Sequence, residues 1–260
     1  MISGSVRGAY WVALGLAIAP AAHAAPPTFS HDIAPMVYQK CAPCHRSGEA
    51  APFSLLTYED VKKHAAQIAA VTRRGYMPPW LPQHGYDDFA GELRLTAEEI
   101  GTIAAWVSAG TPEGPPGDTP PPPRFIEGWQ LGTPDLVLEA RSSFELPADG
   151  PDVYWNFIFT PGLNARRWVR AIEIRPGDRR LVHYANLLVD RMGSARAQET
   201  APGKGFPGMD LVLMRSPFDP DGHFLFWKPG RTPHVEPDGL AWRLEPGNDL
   251  VLKYGERFAP

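Results

Sequence analysis

The sequence predicts an α+β, multidomain chain: a small all-α unit followed by an antiparallel β-sandwich of jelly-roll-like character. Three observations carry this. Apolar residues recur at helical spacing up to about residue 110. A run dense in proline and glycine then interrupts the chain. Beyond it, short apolar runs alternate with turn-forming pairs, as in strands joined by tight turns. The 260 residues allow one or two domains, and 30 prolines with 25 glycines fit a turn-rich second half. The net charge is −4, with no basic stripe, so a nucleic-acid partner is not expected.

Residues 1–24 have the layout of a secretory signal. Arg7 is the basic n-region, Trp11 to Ala19 is an apolar run too short to span a bilayer, and Ala22-His23-Ala24 supplies small residues for cleavage. A retained anchor is the alternative. Cleavage would leave no spanning segment and a periplasmic or otherwise exported protein.

The first domain is expected over 26–112. Phe29 to Tyr38 reads as a helix capped by Ser30, with Asp32 in its first turn and Ile33, Met36 and Val37 on one face. A second helix starts at Thr57 in a capping sequence and runs to about Thr72. Its stripe is Val61, Ala65, Ile68 and Val71, with His64 at its edge; Arg73, Arg74 and Gly75 suit its end. Thr96 to Glu99 opens a third helix with a capping box. Ile100, Ile103, Ala104 and Val107 give its apolar face, Trp106 lies beside it, and Gly110 ends it.

Between the first two helices stands Cys41-Ala42-Pro43-Cys44-His45, which holds both cysteines of the sequence. Two thiols at this spacing, with a histidine directly after, read as an attachment site for c-type haem. The thiols add across the two haem vinyl groups, and the adjacent imidazole ligates the iron. The apolar Pro52-Phe53-Ser54-Leu55-Leu56 is placed along the macrocycle. A disulfide between Cys41 and Cys44 would close a small, strained loop. A thioredoxin-like pair would need a βαβ setting, and a zinc site two more ligands nearby. Covalent attachment of haem c outside the cytoplasm agrees with the exported destination.

Met77 lies in the Pro-flanked loop Tyr76-Met77-Pro78-Pro79-Trp80. A stiff loop presenting a thioether suits the sixth ligand of a low-spin haem, and Met opposite His raises the reduction potential. The alternatives are packing of Met77 in the core, or ligation by His64 or His84.

The run from Asp32-Ile33-Ala34-Pro35 through Cys41–His45, Ala51-Pro52-Phe53, Thr57-Tyr58, Met77-Pro78-Pro79-Trp80 and Leu95-Thr96 to Trp106 resembles class I c-type cytochrome domains. More narrowly, it is similar to those fused to a copper type II, ascorbate-dependent monooxygenase-like region. The resemblance implies one covalent haem on Cys41 and Cys44, with His45 and Met77 as axial ligands of the iron.

Residues 113–123, within the Pro/Gly run Thr111 to Pro123, read as a semi-rigid linker that excludes helix and central strand. The second domain is expected over 124–260. Strands are predicted at Tyr154–Thr160, Trp168–Arg175, Leu181–Asp190, Asp210–Met214 and Asp249–Tyr254. Turns are predicted at Asp149-Gly150, Pro176-Gly177, Asp238-Gly239 and Pro246-Gly247. Gly128-Trp129, Pro134-Asp135 and Leu181-Val182-His183-Tyr184 extend the resemblance to the copper monooxygenase N-domain.

In that family adjacent histidines on a strand bind one copper, a later strand adds a third ligand, and a following β-domain holds a second copper. Here His183 is followed by Tyr184, the late strand reads Leu250-Val251-Leu252-Lys253-Tyr254, and no histidine follows His234. His183, His223 and His234 could form a rearranged site, but they read as surface or packed histidines, and copper is not expected. The function that follows is electron transfer to or from a redox partner protein. The alternatives are a haem-linked copper monooxygenase and a haem-based ligand sensor.

Overall fold

The computed structural model describes residues 25–80, 82, 91–147, 149–209, 213 and 223–256. The signal-like segment 1–24, His84 and most of the strand predicted over 210–214 lie outside them. Every α-helix of the described residues lies between 34 and 108, and every strand between 153 and 256.

A π-helical turn, Phe29–Ile33, leads into α1, Ala34–Lys40. The predicted stripe is inside: Ile33, Met36 and Val37 are buried. The cap differs from the expected one. Thr28, one residue before the turn, accepts from the His31 N–H, and its own N–H donates to Asp32. Ser30 is buried instead, and its hydroxyl meets that of Thr119.

The helix predicted over 57–72 is two helices, α2 (Tyr58–Lys63) and α3 (Ala65–Arg73), broken at His64. The His64 backbone leaves helical geometry (ψ 8°) while its ring stacks on Phe53, 3.8 Å between centroids. Thr57 caps α2 as expected, accepting from the Asp60 N–H. The α4 helix, Ala97–Ser108, begins with the full capping box of Thr96 and Glu99. Its inward face turns further than the spacing indicated: Ile103 and Trp106 are fully buried, while Ala104 is exposed. Together α1 to α4 enclose one core of Phe29, Ile33, Val37, Leu55, Val61, Ile68, Leu95, Ile103 and Trp106. Burial of each large side chain there contributes about 1.5–3 kcal/mol.

The proline-rich run is fastened to this core. The Phe29 and Ser30 N–H groups donate to the carbonyls of Pro112 and Glu113, and Trp106 Nε1 donates to Pro112. Gly114 sits at φ 84° against Thr28, where a Cβ would come within 2.7 Å of the threonine side chain. Helix was not expected in this run, yet Pro116–Asp118 forms one 3-10 turn, which its prolines permit because they open it.

The remaining strands are β1 Val153–Phe159, β2 Arg167–Val169, β3 Val182–Asp190, β4 Phe206–Pro207, β5 His223–Trp227, β6 Trp242–Leu244 and β7 Asp249–Glu256. They form a five-stranded antiparallel sheet in the order β4-β1-β7-β3-β5 and a two-stranded ribbon of β2 and β6. In β7 the side chains alternate. Leu250 and Leu252 join Leu187, Val189 and Phe159 on one face, where Val169 and Leu244 of the ribbon cover them. Val251 faces the other way, with Ile158, Phe206 and Ala195. The strand predicted at 168–175 is shorter than expected. Pairing with β6 ends at Val169, after which an isolated bridge joins Ala171 to Val235.

Candidate functional site

The segment Cys41–His45 continues from the end of α1 as a tight turn. The Cys44 and His45 N–H groups both donate to the Cys41 carbonyl, at 3.1 and 2.9 Å. This turn sets two sulfurs and an imidazole on one short piece of backbone. Both cysteines are free thiols. Burial pushes the Cys41 thiol up to about 12 and raises that of Cys44 as well. Thiols held protonated at neutral pH are poor candidates for a disulfide-exchanging pair, which works through a thiolate.

His45 is oriented by the chain that follows it. Its Nδ1 lies 3.2 Å from the Phe53 carbonyl, and the Leu55 N–H donates to the His45 carbonyl at 3.0 Å. A carbonyl can only accept, so Nδ1 carries the proton and Nε2 keeps its lone pair. Burial holds the imidazole below its ordinary titration range, which keeps it neutral near pH 7. A neutral histidine with its second nitrogen fixed on a carbonyl is in the form that can ligate a metal. The Phe53 ring packs on the imidazole, 4.8 Å between centroids, and separates it from His64. The sequence placed Phe53 beside the macrocycle; its role as acceptor for His45 was missed, because a backbone carbonyl leaves no mark on residue identity.

Met77 follows α3 in a turn closed by the Tyr76 and Met77 N–H groups, both donating to the Val71 carbonyl. Its side chain is 43 % exposed, so core packing does not account for it. It stands with Thr72, Pro78, Trp80, Leu95 and Ile100 around a cavity of about 230 Å³. His45 and the two cysteines are not among that cavity's lining residues. His64 is half-buried, with Nδ1 3.3 Å from Gln67 Oε1, as suits an edge histidine.

The second half of the chain meets this site, which no sequence signal indicated. The Cys44 thiol points at the Pro229 carbonyl, 3.6 Å away. Gly230, at φ 74°, lies so close that a Cβ there would overlap the Cys44 sulfur. Arg231 sits over the Trp80 ring at 5.8 Å. Glu49 is buried and pairs with Arg46 and with Arg179, each at 2.7 Å. Arg46 in turn covers the Phe125 ring at 3.9 Å.

Of the histidines considered for copper, the side chain of His223 lies outside the described residues. His183 is exposed on β3 and His234 lies 3.5 Å from Glu236 Oε1. No group of three or more His, Cys, Asp and Glu side chains able to hold a metal ion occurs among those residues, and no helix there is long and apolar enough to cross a membrane. No protein-family model matches the chain, and no curated protein sequence matches it.

Proposed function

We propose that this chain is an exported c-type cytochrome of two domains, 26–112 and 124–260. One haem is held covalently by Cys41 and Cys44, with His45 and Met77 as axial ligands, and single electrons pass to or from a redox partner protein. The carrying observation is the His45 geometry: Nδ1 committed to the Phe53 carbonyl and Nε2 left with its lone pair, directly after two thiols in one turn. Bound haem supplies a one-electron ferric–ferrous couple.

The residues of the chain do the rest. Cys41 and Cys44 fix the group through thioethers, so it cannot dissociate during turnover. The Phe53 carbonyl holds the imidazole in one tautomer, so ligation needs no proton loss. Met77 offers a soft thioether that favours the ferrous state and raises the potential. His45 and Met77 would both be committed to holding the iron, and a haem so held would supply electron transfer.

The test is expression in a host that matures c-type cytochromes, followed by denaturing electrophoresis with haem staining. The full-length chain should stain and gain the mass of one haem, and the double variant Cys41→Ala/Cys44→Ala should do neither. A wild-type chain that never carries covalent haem in such a host would sink the proposal.

A further inference from the structure

We infer that the loop Lys228–Arg231, from the sheet half of the chain, is a wall of the haem crevice, and that Arg179 is the positioning residue that holds it there. This rests on the haem reading above. Three contacts carry it. Pro229 and Gly230 lie on Cys44, one of the two attachment residues, and Gly230 can lie there because it has no side chain. Arg231 lies over Trp80, three residues beyond the proposed ligand Met77. One loop therefore touches both the attachment turn and the Met77 segment.

The third contact is the ion pair that fastens the two halves. Glu49 follows the attachment turn, is 5 % exposed, and is shared by Arg46 of its own half and Arg179 of the other. A buried carboxylate held by two guanidinium groups is a strong, directional tie. Loss of Arg179 leaves Glu49 paired with Arg46, so the helical half keeps its own ion pair and loses only the cross-link.

A wall over the attachment edge keeps water from the haem. Low polarity disfavours the more highly charged ferric state, so the wall raises the reduction potential. The sheet half thereby tunes the haem and narrows the approach of a redox partner to the edges it leaves open.

The experiment compares the full-length, haem-loaded wild type with Arg179→Ala, Arg179→Lys and Gly230→Ala. Hydrogen–deuterium exchange is read at segments 46–51 and 228–231, and the midpoint potential by spectroelectrochemical titration. Arg179→Ala and Gly230→Ala should raise exchange in both segments roughly tenfold and lower the midpoint potential. Arg179→Lys keeps one charge-assisted bond and should fall between them and wild type. A Gly230→Ala chain that fails to fold leaves the two Arg179 variants to decide. Unchanged exchange, or raised exchange with an unchanged potential, overturns the wall while the haem assignment stands. A wild-type chain without covalent haem overturns the haem assignment, and the wall with it.

Discussion

His45 Nδ1 lies 3.2 Å from the Phe53 carbonyl while the two rings touch, so one residue both orients the imidazole and shields it. The two roles separate under mutation. Phe53→Ala keeps the carbonyl and removes the ring wedged between His45 and His64. Covalent haem should be retained. Stability should fall by about 2 kcal/mol, less than for a fully buried phenylalanine because Phe53 is half-buried. Urea denaturation of the two proteins reads this directly, and an unchanged midpoint would show that the ring packs nothing of consequence.

The proposed second axial ligand is Met77. Met77→Ala should abolish the weak absorbance band toward the red that reports methionine bonded to ferric iron, while haem stays attached through Cys41 and Cys44. The freed position should also let the reduced variant bind carbon monoxide at neutral pH, which the wild type should not. Survival of the band in the variant would assign the sixth ligand elsewhere.

Local signals were legible in the sequence and distant ones were not. The caps at Thr57 and Thr96 are fixed by atoms within four residues, so their spacing alone reveals them. Strands β1, β3 and β7 each carry a long apolar run, and their ends fall within a residue or two of the predicted ones. By contrast β5 and β6 are short, and their pairing depends on partners far along the chain. The break at His64 arises from stacking on Phe53, and Ser30 lost its capping role because Thr28 and Asp32 made a better one. The contact of Cys44 with Pro229 joins residues 185 apart. Nothing about a Pro-Gly pair distinguishes a free turn from one pressed on a sulfur.

Glu99 links the start of α4 to α1. It accepts from Lys40 Nζ at 2.8 Å and from the Thr96 N–H at 2.6 Å. Burial alone would raise its pKa, but the Lys40 and Thr96 contacts outweigh this and hold it below the usual carboxylate range. A depressed folded value means the ionised form is favoured in the folded state. The stabilisation is therefore complete above the unfolded value of about 4.3 and is lost as pH falls through the folded one. Glu99→Gln should cost about 1 kcal/mol at pH 7 and much less near pH 3. Denaturation curves at both pH values check this; an equal cost at each would mean that charge plays no part.

Asp249 and Arg196 give an asymmetric pair in the sheet half. The Asp249 carboxylate is fully buried and accepts two bonds from Arg196, at 2.6 and 2.8 Å, and one from the Thr160 hydroxyl at 2.8 Å. The Arg196 side chain is 55 % exposed, and Asp190, also fully buried, lies near enough to act on its charge. Removing either partner therefore has unequal consequences. Arg196→Ala strands a buried carboxylate beside a second one and should cost about 3 kcal/mol. Asp249→Asn removes the buried charge, keeps an oxygen for Thr160 and frees the arginine to water, so it should cost about 1–2 kcal/mol. In the double variant no charge is stranded, so it should be more stable than Arg196→Ala alone. Urea denaturation of all four proteins closes the cycle, and a double variant no more stable than Arg196→Ala would show that stranded charge is not what makes that substitution costly.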